Sequence, residues 1–191
     1  MAEILLDKDH KYTVDSIEYP GVTTVLKTAG LMGYLPSNQY YLDRGTFIHD
    51  ALELYLHDDL DTETLSEGIK GFVESGIRFI EHIGMKKTYT FTELSLHDPV
   101  YQYCGTMDVV PLIDYKSGGK SSWHVIQMAA YDNLLRVNKI PSERIPLNVH
   151  LRKDGKMPRV EPYKIQELKD GLKVFQAALL TYKWKKEKGL L

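Results

Sequence analysis

Cysteine is almost absent from this sequence, which has one, Cys104, among 191 residues. A single thiol excludes an internal disulfide, a zinc knuckle and an iron–sulfur cluster held by four thiolates of this chain. Any metal bound here must therefore be held by oxygen and nitrogen ligands.

Long apolar runs and a strong charge imbalance are also missing. No run approaches the length needed to cross a bilayer, and the N-terminal stretch MAEILLDKDHKY reaches charged residues too early for a signal peptide. The net charge of -2 gives no global mark of nucleic-acid binding, although Lys and Arg cluster locally, as they also do on solvated faces. We expect a soluble, cytoplasmic protein with no membrane partner.

What the sequence does contain is enough apolar material, 43% of its residues, for one domain with a core. No internal repeat, low-complexity tract or interdomain linker interrupts it. We therefore predict that residues 1–191 form a single domain.

The first half of the chain has mainly helical periodicity. A hairpin around Asp15-Ser16 is followed by a short helix that ends at Gly30. Apolar spacing then predicts one helix from Pro36-Ser37 to about His57 and another from about Thr64 to Gly84.

The second half changes to a period of two, which is typical of strands. Three strands are predicted in YTFTELSL, YQYCGTMDVV and PLIDYKS. A helix follows from about Ser122 to Asn138, then a hairpin that turns at Asp154-Gly155, and an amphipathic helix from about Ile165 to Lys188. This order predicts an α/β or α+β fold built on one sheet.

Charges interrupt the apolar stretch GTMDVVPLIDYKSG, residues 105–118. Asp108 and Asp114, from adjacent strands, can bind a hard divalent cation between them, and Lys116 points to the same face as Asp114 because strand side chains alternate. The alternative is a pair of salt-bridged strand ends, which is the commoner explanation for an isolated D-x-K.

Two helices carry polar residues spaced one turn apart. Gly45 and His49 share a face, where the missing side chain of Gly45 allows another backbone or a ligand to come close. Gln127 and Tyr131 share a face of the helix that follows the D-x-K strand, where they can contact a phosphate, a base or a metal-bound water. Ordinary buried polar contacts are the alternative for each pair.

Glu93 lies in the middle of YTFTELSL, in the strand before the one that carries Asp108. Its side chain lies either beside that aspartate or on the solvent face, and the sequence favours neither.

In chain order these residues form the series G-x-x-x-H, E, G-x-x-D, D-x-K and Q-x-x-x-Y. The series resembles the RecB-like branch of the PD-(D/E)XK nuclease superfamily, which includes phage recombination exonucleases and the CRISPR adaptation nuclease. The resemblance spans Gly21 to Tyr131 and includes GVTTVLKTAGL and RGTFIHDALELYL, which are similar to the helical lead-in of the family. It implies a restriction-endonuclease-like α/β core: a mixed central β-sheet flanked by helices, with a helical N-terminal portion.

The resemblance also implies a role for each matching residue. Asp108 and Asp114 would be the metal-binding carboxylates, Lys116 the catalytic lysine and His49 an additional metal ligand. Glu93 would assist the metal or its water.

The remaining assignments concern the metal and the DNA. The carbonyl of Tyr115 would join the carboxylates in holding Mg²⁺ or Mn²⁺. Gln127 and Tyr131 would face DNA, and we also assign Arg44 and Gly45 to DNA binding.

The function implied is a metal-dependent deoxyribonuclease, an exonuclease of DNA recombination, DNA repair or phage DNA processing. Its partners would be single- or double-stranded DNA ends and a recombination or single-strand-annealing protein, in a bacterial or phage-infected cell. The cluster-forming cysteines of the CRISPR adaptation nuclease are missing, which favours a stand-alone or phage-encoded enzyme. The alternatives are a catalytically silent DNA-binding or scaffolding protein and a sequence-specific restriction endonuclease, although base-reading elements for the latter are not evident.

The spacing of the two aspartates conflicts with a shared cation. In one extended strand Asp108 and Asp114 would stand roughly 20 Å apart, at about 3.3 Å per residue. Val109 to Ile113 contain no Gly, Asn or Asp for a tight turn. We therefore predict that a loop is omitted near Val110-Pro111; if the chain is continuous there, the aspartates meet through an unusual Val-Pro-Leu turn or serve different sites.

Overall fold

A small antiparallel sheet forms the N-terminal part of the computed structural model, which describes residues 3–7, 11–32, 39–85, 91–110, 112–141 and 145–191. Its strands are β1 (Ile4–Leu6), β2 (Tyr12–Val14) and β3 (Ile17–Tyr19), in that order. Asp15 and Ser16 have φ values of 47° and 70°, the left-handed conformation that a two-residue hairpin requires. The predicted hairpin is confirmed, but β1 was not predicted, because ILL shows no alternation of apolar and polar residues.

Three helices follow: α1 (Val22–Thr28), α2 (Gln39–Leu56) and α3 (Lys70–His82). The predicted stop at Gly30 is confirmed, since Gly30 has a φ of 74°. The predicted start of α2 at Pro36-Ser37 lies outside the described residues. The predicted start of α3 at Thr64 is wrong: Asp61 accepts a hydrogen bond from the Glu63 amide and closes a separate 3-10 turn, after which Leu65 is extended.

The central sheet contains β4 (Phe91–Asp98), β5 (Tyr103–Val110), β6 (Ile113–Lys116), β7 (Leu147–His150) and β8 (Arg159–Pro162), in that spatial order. Strands β6 and β7 are parallel and the other neighbours antiparallel. Helix α4 (His124–Val137) makes the connection between the parallel pair, and α5 (Ile165–Glu187) ends the chain.

Two apolar clusters cover the two faces of this sheet. Leu112 belongs to the cluster formed with α1, α4 and α5, whereas the next residue, Ile113, packs with α2 and α3. This alternation is expected of a strand buried on both faces. The predicted α/β fold, with a mixed central sheet flanked by helices, is confirmed. Within the described residues, no helix is both long and apolar enough to cross a membrane.

The chain reverses direction between the two aspartates. Strands β5 and β6 are antiparallel, with Val109 opposite Ile113. Asp108 and Asp114 therefore lie opposite each other at the next position of the ladder. This register places Asp108 beside Asp114 on neighbouring strands. The predicted discontinuity at Val110-Pro111 involves Pro111, which lies outside the described residues.

Candidate active site

Asp108 lies at the centre of a hydrogen-bonded group near the end of β5. One of its oxygens, Oδ1, is 3.4 Å from Nδ1 of His49, and the other, Oδ2, accepts a 2.8 Å hydrogen bond from the Tyr115 amide. Nε2 of His49 is 3.2 Å from the Tyr115 carbonyl oxygen. Helix α2 packs on the opposite face of the sheet from α4, yet His49 reaches Asp108 beside β6.

Glu93 lies on β4 next to Asp108. The β4–β5 register pairs Thr92 with Val109 and Leu94 with Met107, which puts Glu93 opposite Asp108. Its φ of 47° distorts the strand at that step. One ligand atom from each of His49, Glu93 and Asp108 lies within 4.8 Å of the others. Like charges directly opposite each other destabilise a ladder, and a cation or a proton between them relieves that repulsion.

The charges of this group shift its proton equilibria. Desolvation and then the charge of Asp108 raise the pKa of Glu93 to about 7. Burial alone would lower the pKa of His49, but Asp108 outweighs it and raises the pKa to about 9. The imidazolium form of His49 can donate one hydrogen bond to Asp108 and one to the Tyr115 carbonyl. A bound cation would take the place of the imidazolium charge.

A narrow crevice adjoins these side chains. It has a volume of about 10 Å³ and its lining includes His49, Glu53, Thr92, Glu93 and Asp108. This space suits one water molecule or one ion. Glu53, which accepts a 3.0 Å hydrogen bond from the Thr92 hydroxyl, was missed by sequence reasoning, although its position one turn after His49 could have identified it.

Asp114 and Lys116 start a second chain of contacts on the α4 face of the sheet. Nζ of Lys116 is 2.6 Å from Oδ2 of Asp114 and donates a 2.8 Å hydrogen bond to Oε1 of Gln127. Nε2 of Gln127 donates to the Tyr131 hydroxyl at 3.1 Å. The lysine is thus held in one orientation between a strand and a helix.

The two aspartates differ in their proton affinity. Burial would raise the pKa of Asp108, but the His49 imidazolium and Lys116 outweigh it, so the net shift is downward. Burial raises the pKa of Asp114, which Lys116 offsets only in part. A further positive charge nearby would therefore stabilise the ionised form of Asp114 more than that of Asp108.

The residues assigned to DNA binding have other contacts as well. Gln127 and Tyr131 are buried, and the Tyr131 ring packs so closely on Gly105 that an added Cβ there would lie 2.7 Å from it. Arg44 donates a 3.2 Å hydrogen bond to the Ser117 carbonyl and stacks between the rings of Tyr41 and Phe72.

Gly45 is half-buried, and an added Cβ would meet no atom within 4 Å. The expectation that another backbone approaches it is therefore wrong for the described part of the chain. Space for a ligand remains there.

A polar hollow of about 590 Å³ opens beside Tyr131. Its walls include Thr23, Thr24 and Lys27 of α1, and Gln39, Asp43 and Thr46 of α2. A larger hollow of about 700 Å³ lies between α3 and the β7–β8 turn, but none of the site residues lines it. Of the predicted site residues, Tyr131 lines the hollow between α1 and α2, whereas Asp108 and its contacts line the narrow crevice.

Comparisons with known proteins give structural likeness without a sequence match. No family model matches the sequence, and no curated protein matches it. A crystal structure from Eubacterium rectale, described as a "Putative exonuclease", superposes with a TM-score of 0.58 at 13% identity, over 91% of this chain and 82% of that one. At this identity the likeness shows the fold alone.

Proposed function

We propose that this protein is a metal-dependent deoxyribonuclease that hydrolyses phosphodiester bonds. The observation that carries the proposal is the position of Asp108: it contacts His49, stands opposite Glu93 on β4 and lies across the ladder from Asp114 on β6. The Eubacterium rectale relative, described as a "Putative exonuclease", supports the same class.

The donor set fits a divalent cation. Carboxylate oxygens suit Mg²⁺ and Mn²⁺, and an imidazole nitrogen favours Mn²⁺ over Mg²⁺, which prefers oxygen. Asp108, Glu93 and His49 would hold the ion, with Asp114 and the Tyr115 carbonyl beside them. A bound cation lowers the pKa of a water and neutralises charge that develops on phosphate.

The chain's own groups would orient the reacting atoms. Nζ of Lys116, fixed by Asp114 and Gln127, presents a positive charge to the phosphate oxygens, or to the attacking water, as the transition state forms. Glu93, with a pKa of about 7, can accept or donate a proton near neutral pH.

The substrate class proposed is DNA ends, which enter through the hollow between α1 and α2 toward Tyr131. Lys27 at its wall contributes the positive charge that a phosphate backbone requires, and the exposed rings of Tyr41 and Phe47 on α2 offer stacking surfaces. An exonuclease of recombination, repair or phage DNA processing in a bacterial or infected cell, with a recombination or annealing partner, is the specific role that we propose.

The test is degradation of end-labelled single- and double-stranded DNA, with covalently closed circles as a control substrate. We expect wild-type protein to degrade linear DNA with Mn²⁺ or Mg²⁺, to spare closed circles, and to be inactive in EDTA. Asp114→Asn, which keeps the side-chain volume, is expected to remove cleavage. Salt-sensitive DNA binding without cleavage in any metal would instead support a catalytically silent DNA-binding protein.

A further inference from the structure

A second group of ligand-type side chains lies on the far side of Lys116 from Asp108. It combines His124 at the start of α4, His150 at the end of β7 and Glu161 in β8. One nitrogen of each imidazole and one oxygen of the carboxylate lie within 4.8 Å of one another. No sequence motif marks this group, because its members come from three separate elements of the fold.

The contacts of His150 leave one nitrogen directed at a carboxylate. Nδ1 is 3.4 Å from the Gly118 carbonyl oxygen, which can only accept a hydrogen bond. Nε2 is 3.1 Å from Oε2 of Glu161, which is also an acceptor when ionised. In this arrangement Nε2 and Oε2 can share a cation while Nδ1–H is held by the carbonyl, as metal-binding histidines commonly are.

The state of His124 favours the cation. Its side chain is 3% exposed, and its Nδ1 is buried with no hydrogen-bond partner among the described residues. Leaving a buried polar atom unsatisfied is costly, so such an atom needs an explanation.

The two oxygens of the Glu161 carboxylate have different partners. Oε1 pairs with the ammonium group of Lys120, and Oε2 faces His150. The carboxylate can therefore offer a single oxygen while remaining ionised. Two imidazole nitrogens and one carboxylate oxygen form a donor set typical of Zn²⁺ sites that keep a fourth position open.

We propose that His124, His150 and Glu161 form a Zn²⁺ site separate from the Asp108 group. The site would join the start of α4 to the β7–β8 hairpin. His150 is also the register partner of Lys116 across β6 and β7, and the segment 117–123 links Lys116 to α4. The ion would therefore fix the connection that brings Gln127 to Lys116. The proposal stands whether or not the protein is a nuclease, because it rests on other residues.

The test measures Zn²⁺ binding by calorimetry in tag-free Asp108→Asn protein, a background that weakens the first metal group. We expect one equivalent of Zn²⁺ to bind, and the affinity to fall at least about tenfold on adding Glu161→Gln or His150→Gln. His82→Gln, which changes an exposed histidine on α3, is the matched control and is expected to leave affinity unchanged. Equal Zn²⁺ affinity in the Glu161→Gln and control proteins, both folded by circular dichroism, would overturn the proposal.

A second measurement needs no variant and guards against misfolding. In ¹⁵N spectra of wild-type protein that detect the imidazole nitrogens, one equivalent of Zn²⁺ is expected to shift the signals of His124 and His150. Zn²⁺ that shifts His49 alone would refute the second site.

Discussion

Nζ of Lys116 lies 2.8 Å from Oε1 of Gln127, although the two residues are 11 positions apart and belong to a strand and a helix. Together with Asp114, this contact holds the ammonium group in a partly buried position. A lysine that is held in place needs no further ordering when a phosphate arrives, which is the arrangement that transition-state stabilisation requires.

Lys116→Met is therefore expected to lower the cleavage rate by about 10²–10³-fold, as for loss of one preorganised charge donor. DNA affinity is expected to remain nearly unchanged, because the role assigned to the lysine is in the transition state. Single-turnover rates and binding isotherms separate the two quantities. Lys173→Met, on an exposed face of α5, is the control; equal losses of binding and turnover in Lys116→Met would make Lys116 a phosphate clamp.

Glu93→Gln is expected to separate metal binding from folding. In EDTA the substitution removes the repulsion between Glu93 and Asp108, so the melting temperature is expected to stay the same or rise. In Mn²⁺ the rise in melting temperature caused by the metal is expected to shrink, because one ligand is lost. Thermal melts with and without Mn²⁺ measure both effects, and an unchanged Mn²⁺ effect would remove Glu93 from the site.

His49→Ala is expected to change the preference between metals. Mn²⁺ is expected to support cleavage at least as well as Mg²⁺ in wild-type protein, because His49 supplies a nitrogen ligand. Loss of that ligand should weaken the binding of Mn²⁺ more than the binding of Mg²⁺. Metal titrations of the cleavage rate provide the measurement; undiminished Mg²⁺ activity in His49→Ala together with no response to Mn²⁺ would contradict the assignment.

Gly105→Ala is expected to destabilise the fold. The added Cβ would lie 2.7 Å from Cε1 of Tyr131 and 3.0 Å from Cδ1 of Leu134, so α4 must move away from β5. We expect a loss of about 1–3 kcal/mol in the free energy of unfolding, as for other overpacked cores. Gly119→Ala, where the new methyl group meets no atom within 4 Å, is the control in denaturant titrations. Equal stability of the two variants would show that Tyr131 does not pack rigidly on the strand.

Cys104 is expected to be inert in the folded protein. Its side chain is fully buried, and burial raises the pKa of the thiol from 9.0 to about 12. The corresponding contribution to stability is present below about pH 9 and is lost as the pH rises toward 12. A thiol reagent at pH 8 should react with Cys104 only after unfolding, whereas a Thr181→Cys variant should add one reactive thiol on the exposed face of α5. Rapid labelling of the native wild-type thiol would show that β5 opens locally.

Local patterns in the sequence were sufficient to predict most of the secondary structure. Asp15-Ser16 and Gly155 specify reversals by their tolerance of positive φ, and the changes from helical to strand periodicity follow from which faces are buried. The order of the motif residues is likewise determined by the sequence alone. It could be stated, with the fold class, before any contact was known.

Only the tertiary structure decided which of those residues meet. The antiparallel pairing of β5 and β6 brings Asp108 to Asp114 across a connection without Gly, Asn or Asp. Burial of Val109, Leu112 and Ile113 between the helical layers stabilises this pairing. The pairing of Glu93 with Asp108 and the meeting of His124 with His150 depend on strand register and helix packing. Strand register and helix packing result from many contacts between residues far apart in the chain, which no short stretch of sequence encodes.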